Sequence, residues 1–407
     1  MSQSPDIKAP PVTPWGLVIL LGALTAFAPM SIDMYLPALP AIGKALGGTP
    51  EATQGTLAVF LAGMAIGQFL YGPASDRYGR RAPILVGVAV YVAASIWCAL
   101  TQSMEGLIFA RFVQALGGCA GAVVARAVVR DQFDHTETAR VLSLLTLVMG
   151  VAPIVAPLLG GWVMVIAGWR GIFWTLALFG CLVGLAVFLR LRESRSEETA
   201  AQARSETPLK AYGQLLRNRR LIGYALAGAL NGAVLFTYIS SSPALVIETY
   251  GFSPQAFGWV FGCNAVGVIG MSQVNRMVLR YVTPDTVLRR ASLAAIGFGL
   301  LLAFFAFTGI GRQYTVLPLL FTLLASYGLM AGNTMAGALS MDPRRAGSIS
   351  ALMGSLSFGA GAVASWASGA LHDGSARPMA GVMLACLLAS AGALWFLALP
   401  RKTQAPA

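Results

Sequence analysis

Apolar positions in this chain come in long blocks separated by short polar breaks. From Trp15 to Leu399, stretches of about twenty apolar residues follow one another, each long enough to cross a hydrocarbon core of roughly 30 Å as a helix. The blocks predict helix 1 over Pro14 to Leu36, helix 2 over Ala52 to Tyr71, helix 3 over Pro83 to Leu100 and helix 4 over Gly106 to Val128. Helix 5 follows over Val141 to Ala167 and helix 6 over Gly171 to Leu189. The segment Arg190 to Arg220 then turns polar and mixed in charge, as an exposed linker does. Beyond it, helices 7 to 12 are predicted at Leu221 to Val246, Pro254 to Val274, Leu288 to Gly309, Val316 to Ala336, Ser348 to Leu371 and Met379 to Leu399. Pro37 and Pro40 make a poor cleavage site after helix 1, so that helix is expected to be retained rather than removed as a signal peptide.

The expected organisation is a six-helix bundle over residues 1–190, a cytoplasmic linker over 191–220, and a second six-helix bundle with a short cytoplasmic tail over 221–407. Two halves of matching loop pattern imply repeats related by an axis along the membrane normal, with a site for a transported molecule near the midplane between them. A helical bundle without any transport role is the alternative.

Composition agrees with the pattern. Hydrophobic residues make up 57% of the chain and charged residues only 11%, against about 25% charged in an average soluble domain; the mean hydropathy is +0.71. The net charge of +12 does not point to nucleic acid, because the basic residues form no single patch with interleaved aromatics. Of 28 basic residues, 23 are counted with alternate loops and the termini (the helix-end Arg126, Arg289 and Arg290 among them), 4 with the opposite loops (Lys44, Arg170, Arg312, Arg377) and 1, Arg111, inside a helix. By the positive-inside rule both termini are expected in the cytoplasm. Trp97, Trp162, Trp169, Trp174 and Trp259 fall near the predicted outer helix ends and read as interface anchors. The five cysteines lie in predicted helices without metal or disulfide spacing and read as small apolar packers.

Of the 16 acidic residues, only Asp33 sits well within an apolar stretch. A carboxylate in hydrocarbon costs roughly 2.5 kcal/mol or more, which makes it a functional candidate by default. Asp33 lies about 19 residues, roughly 28 Å, from the start of helix 1, and Arg111 enters helix 4 from the opposite surface, so both are expected at similar outer-half depth. Burial favours the protonated form of a carboxyl group and a nearby arginine the ionised form. Movement of the two relative to each other would then switch Asp33 between proton-binding states, with Asp33 as proton carrier and Arg111 as its tuner. A structural Asp33–Arg111 ion pair is the other reading.

The segment Gly72-Pro73-Ala74-Ser75-Asp76-Arg77-Tyr78-Gly79-Arg80-Arg81 resembles motif A of the major facilitator superfamily. Ser31-Ile32-Asp33-Met34-Tyr35-Leu36-Pro37-Ala38-Leu39-Pro40 resembles the helix 1 signature of its twelve-helix drug:proton antiporters, most closely the Bcr/CflA (bicyclomycin resistance) subfamily. Arg111 to Gly118 is similar to motif B, whose arginine the family links to proton coupling. Gly150 to Gly161 is similar to the antiporter motif C, with Gly150, Pro153, Pro157, Gly160 and Gly161 in place and Ala156 where the pattern has glycine.

The resemblance implies an all-α membrane protein of the major facilitator fold, twelve transmembrane helices in two pseudo-symmetric six-helix bundles, in a bacterial inner membrane. It implies a proton-coupled multidrug efflux antiporter exporting small amphiphilic antibiotics of bicyclomycin, phenicol or sulfonamide type by alternating access, and no enzyme. A proton-coupled exporter or importer of a small metabolite (dipeptide, cysteine or sugar) and a non-transporting receptor are the alternatives. Gly72, Asp76, Arg77, Gly79, Arg80, Arg81 and Asp131 would form the conformational latch that the family assigns to motif A, Gly72 and Gly79 allowing a tight crossing and turn; a topology anchor is the plainer role.

Met34, Tyr35, Met64, Gln114, Asn231, Phe236, Tyr238, Asn264 and Asn333 are the candidate pocket, although such polar groups also serve to bond neighbouring helices. No phosphate loop, zinc motif or nucleophile elbow is present, so no metal or cofactor is expected beyond protons as the coupling ion. The expected partners are small-molecule drugs and the lipid bilayer, for a protein acting as a monomer.

Overall fold

In the computed structural model, residues 15–195, 197, 208–342 and 345–399 are described. The predicted start of helix 1 at Pro14, the middle of the linker (196 and 198–207) and the tail 400–407 lie outside them. The described residues are helical almost throughout and contain no strand.

Among the described residues, eleven apolar spans are long enough to cross a membrane. One of them, Arg140–Arg190, is 51 residues long; at 1.5 Å per residue it is about 77 Å, more than twice a hydrocarbon core, and must cross twice. It does so by bending at Gly168, whose φ of 67° is open to glycine and strained for other residues. The crossings number twelve: α1 (Trp15–Leu46), α2 (Pro50–Tyr78), α3 (Arg81–Leu100), α4 (Met104–Gln132), α5 and α6 (135–167 and 169–190), α7 (Arg219–Pro243), α8 (Pro254–Val278), α9 (Pro284–Thr308), α10 (Gln313–Met341), α11 (Ala346–Ala370) and α12 (Arg377–Ala393). Wider π turns, Ala244–Thr249 and Leu394–Ala398, extend α7 and α12.

Three boundaries differ from the sequence reading. First, α1 is broken into Trp15–Thr25, Phe27–Asp33, a tight turn at Leu36–Ala38 and Leu39–Leu46, because Pro29, Pro37 and Pro40 supply no N–H to a continuous ladder. Second, most of motif A is not a loop: α2 stays helical to Tyr78, and only Gly79 and Arg80 separate it from α3. Third, the linker carries a short helix, Pro208–Leu215, whose Leu215 is buried and whose Tyr212 meets Phe69 of α2 edge-on at 5.3 Å.

The halves meet along α2 with α11 and α5 with α8. A six-helix shift converts one pair into the other, as the repeat predicts. Within the first half α4 is closely surrounded: a Cβ at Gly117 would strike the backbone of Tyr91, and one at Gly121 the carbonyl of Leu24. Small residues let these backbones approach where lipid offers no hydrophobic drive. Four of the five predicted tryptophan anchors are exposed, but Trp169 is buried beneath the Arg170 guanidinium and beside Phe173, so it packs rather than anchors. Cys98 and Cys119 are buried as expected of packers, whereas Cys181 and Cys263 lie on the outer surface.

Candidate functional site

Arg111 is fully buried in α4, with no carboxylate beside it among the described residues. Its Nη1 donates to Gln114 Oε1 at 2.6 Å and its Nη2 to the Ser31 carbonyl at 3.0 Å. Its guanidinium lies over the rings of Phe60 (4.2 Å), Tyr35 (4.5 Å) and Phe173 (5.9 Å). A desolvated cation over aromatic faces gains about 2 kcal/mol or more, which offsets part of the cost of its burial. The network continues outward: Gln114 Nε2 donates to Ser95 Oγ (2.7 Å), Ser95 Oγ to the Tyr91 carbonyl (2.7 Å), and Tyr91 and Ser31 hydroxyls share a 2.7 Å bond. Tyr35 is fixed by a 2.7 Å bond to Thr56.

The Asp33–Arg111 ion pair is not formed: among the described residues no carboxylate oxygen lies within 4 Å of Arg111. The helix explains why. Ser31 and Tyr35, four residues apart, share the face turned to Arg111, whereas Asp33 is rotated about 200° from Ser31 and faces away. Asp33 is 3% exposed, and its Oδ1 has no hydrogen-bond partner. It lies within electrostatic range of Tyr238 of α7, across the boundary between the halves. The Tyr238 hydroxyl accepts from Asn264 Nδ2 of α8 at 2.6 Å, and its ring stacks on Phe261 at 5.5 Å. Asp33 therefore groups with two of the pocket candidates from the second half.

The other pocket candidates divide. Met34 and Met64 are buried within the first half. Asn231 is buried midway along α7 with an Nδ2 that has no acceptor. Phe236 is taken up in α7–α11 packing, its ring 5.3 Å from Phe358. Asn333 donates to Asn275 Oδ1 (2.9 Å) and to the Leu329 carbonyl (2.7 Å), well toward the α8 terminus, so it bonds helices together and stands apart from Asp33.

Motif C runs along α5. A Cβ at Gly160 would strike the carbonyl of Met34, so this glycine seats α5 against the residue following Asp33. Gly161 closes on Pro254 of α8, and Gly150 faces the Ile269 side chain. Pro153 and Pro157 lie inside the helix, and Ala156 between them is fully buried.

At the basic end, Arg80 lies between Asp131, which accepts from its Nε at 2.7 Å, and Asp76, which accepts from Nη1 at 2.5 Å; Ser75 Oγ accepts from Nη1 at 3.0 Å. Arg81 turns to the Phe188 carbonyl (2.7 Å) and Arg77 outward over Tyr78. Gly79, at φ 94°, makes the turn. A Cβ at Gly72 would meet nothing, so the close crossing expected there is absent.

Glu193, Ser194 and Arg195, read from the sequence as linker, close over this turn. Glu193 accepts from the backbone N–H of Arg80 (2.8 Å) and Arg81 (3.2 Å), and Arg195 Nη1 donates to the Arg77 carbonyl (2.6 Å). Partial burial would raise the Glu193 pKa, but the backbone N–H groups of Arg80, Arg195, Arg81 and Ser194 outweigh it and hold the carboxyl below its usual range. Nothing in the spacing singled out this glutamate among its charged neighbours. Arg126, grouped with the basic loops in the sequence reading, lies inside α4, with its Nε on the Ala122 carbonyl (3.1 Å).

The profile of the Major Facilitator Superfamily matches residues 21–365. The uncharacterized MFS-type transporter YdgK of Bacillus subtilis (strain 168) is 35% identical over 390 residues, 95% of this chain and 96% of that protein. The bicyclomycin resistance protein homolog of Haemophilus influenzae is 31% identical over 93% of this chain and 95% of its own, and the multidrug resistance protein MdtL of Klebsiella pneumoniae (strain 342) 30% over 94% and 95%. The xylose transporter XylE of E. coli, in a partially occluded inward-open conformation, superposes with a TM-score of 0.73 over 97% of this chain and 99% of that one at 12% identity, a likeness of fold alone. The chain thus belongs to the Major Facilitator Superfamily and is a multi-pass membrane transporter, not an enzyme.

Proposed function

We propose that this transporter is a proton-coupled multidrug efflux antiporter of the bacterial inner membrane, with both termini in the cytoplasm, and that it exports small amphiphilic antibiotics of the bicyclomycin, phenicol or sulfonamide kind. The observation that carries the reading is Asp33, a buried carboxyl group without an ion-pair partner, set against the α5 crossing at Gly160 and within reach of Tyr238 from the other half. Support for the substrate class comes from relatives named for bicyclomycin and multidrug resistance.

In this cycle the drug binds beside ionised Asp33 from the cytoplasmic side, the halves rock, and a proton from outside takes the drug's place. Arg111, held by Gln114, Ser31 and three rings, orients the helix that carries Asp33 without neutralising it. Tyr238, Asn264 and the free amide of Asn231 supply contacts from the second half. Arg80, Asp76 and Asp131 latch one conformation at the basic end. One such acid implies about one proton per cycle. Because coupled binding is reciprocal, drug must weaken proton affinity as much as protons weaken drug affinity.

The test is proton release from purified, detergent-solubilised protein on addition of a bicyclomycin and phenicol panel, for wild type and Asp33→Asn. Release by wild type that the variant loses is expected. Binding of any of these drugs by wild type without proton release would remove the antiport mechanism.

A further inference from the structure

A cavity of about 430 Å³ opens at the end of the molecule opposite the basic loops, and none of its lining residues belongs to the Asp33 or Arg111 groups. Leu39, Pro40, Lys44 and Gln54 line it from the first half, and Ser240 and Glu248 from the second. Its size is within the range of small-molecule sites.

Three of these residues carry unused bonding capacity. Lys44 and Glu248 are exposed at the rim on opposite halves, and no ion pair within 4.0 Å joins them. Gln54 is 3% exposed: its Oε1 accepts from Ser241 Oγ at 3.3 Å, but its Nε2 has no acceptor. An unpaired buried donor costs about 1–3 kcal/mol, which an incoming acceptor relieves. The cation and the free amide donor both come from the first half and the carboxylate from the second, with Leu39 and Pro40 offering an apolar wall.

We propose that this cavity is a second binding site, for an elongated zwitterion with an apolar middle. Its carboxylate sits against Lys44 and the Gln54 amide, and its ammonium group against Glu248. Gln54 also belongs to a clasp between the halves, since Ser241 Oγ reaches both it and Ser368 Oγ (2.8 Å). An occupant anchored on both halves holds this clasp closed, because a ligand stabilises whichever conformation completes its contacts.

The experiment measures thermal unfolding of the full-length protein in detergent with millimolar glycine, γ-aminobutyrate, ε-aminocaproate and ω-aminocaprylate, and with the N-acetyl and methyl ester forms of each. Stabilisation is expected to peak at one chain length and to vanish when either end is capped. Lys44→Gln and Glu248→Gln, both at exposed positions, should leave the unliganded melting temperature unchanged and weaken the best zwitterion by about tenfold or more. No stabilisation by any member, equal stabilisation by the capped forms, or unchanged binding in both variants would overturn the assignment. Asp33→Asn should leave the shift intact, so the outcome stands apart from the antiport mechanism.

Discussion

Arg111 shows how a single buried cation can be retained in a membrane bundle without a carboxylate. Its two hydrogen bonds diverge, one to Gln114 and one to the Ser31 carbonyl, and its flat face lies on Phe60 and Tyr35. Lysine has a point charge and no planar fork, so Arg111→Lys can keep one bond but not both together with the stacking. A hydrogen bond to a charged group contributes about 1.5–3 kcal/mol. The variant should therefore melt several degrees below wild type in detergent and lose drug export in a whole-cell accumulation assay. Glu193 offers a pH test outside the membrane. Its carboxyl is held below the usual range, so the stability it contributes is present above the ordinary carboxylate pKa and is lost as pH falls through the folded value. Glu193→Gln should lower the melting temperature at neutral pH, and the gap to wild type should close on acidification, because wild-type Glu193 is then protonated too. A gap that stays constant with pH would show that the carboxylate charge contributes nothing.

Helix contacts along α5 depend on glycines that are not equivalent, although motif C presents them as one set. Gly160 has the Met34 backbone against it, and backbone cannot swing aside; Gly150 faces only the flexible end of Ile269 at 3.6 Å. Gly160→Ala should therefore push α5 away from the Asp33 segment and abolish transport, while Gly150→Ala should transport within about twofold of wild type, since ordinary van der Waals contact costs little. Equal loss in both would mean that the motif acts through helix flexibility rather than this contact. The same elements show what was legible beforehand. Block hydropathy located every crossing, because twenty apolar residues have one economical arrangement in lipid. Hydropathy does not register backbone breaks inside an apolar block, however, so the interruption of α1 needed the chain's actual dihedrals, whereas the turn at Gly168 falls in the gap read between helices 5 and 6. The facing of Asp33 away from Arg111 followed from helical phase, which equal depth along two helices does not settle. The Glu193 strap over motif A joins residues more than a hundred positions apart, and local patterns carry no trace of such a pairing.

At the scale of the molecule, the two ends differ both in charge and in what they carry. Latch residues Asp76, Arg80 and Asp131, the Glu193 strap and the linker helix all gather at the basic end, while the opposite end carries Lys44, Glu248 and the Gln54–Ser241–Ser368 clasp. Lys and Arg near membrane crossings resist translocation, so the basic end should face the cytoplasm. Two exposed positions report on this: Ala45, in the last part of α1, and Leu216, which is 51% exposed just beyond the linker helix. With the native cysteines replaced by serine, a membrane-impermeant maleimide added to intact cells should label Ala45→Cys readily and Leu216→Cys only after permeabilisation. The reverse pattern would invert the molecule. It would place the Arg80 latch outside and the zwitterion cavity in the cytoplasm, and efflux driven by an inward proton gradient would then need the opposite sequence of openings. Orientation is thus the measurement on which the direction of transport turns.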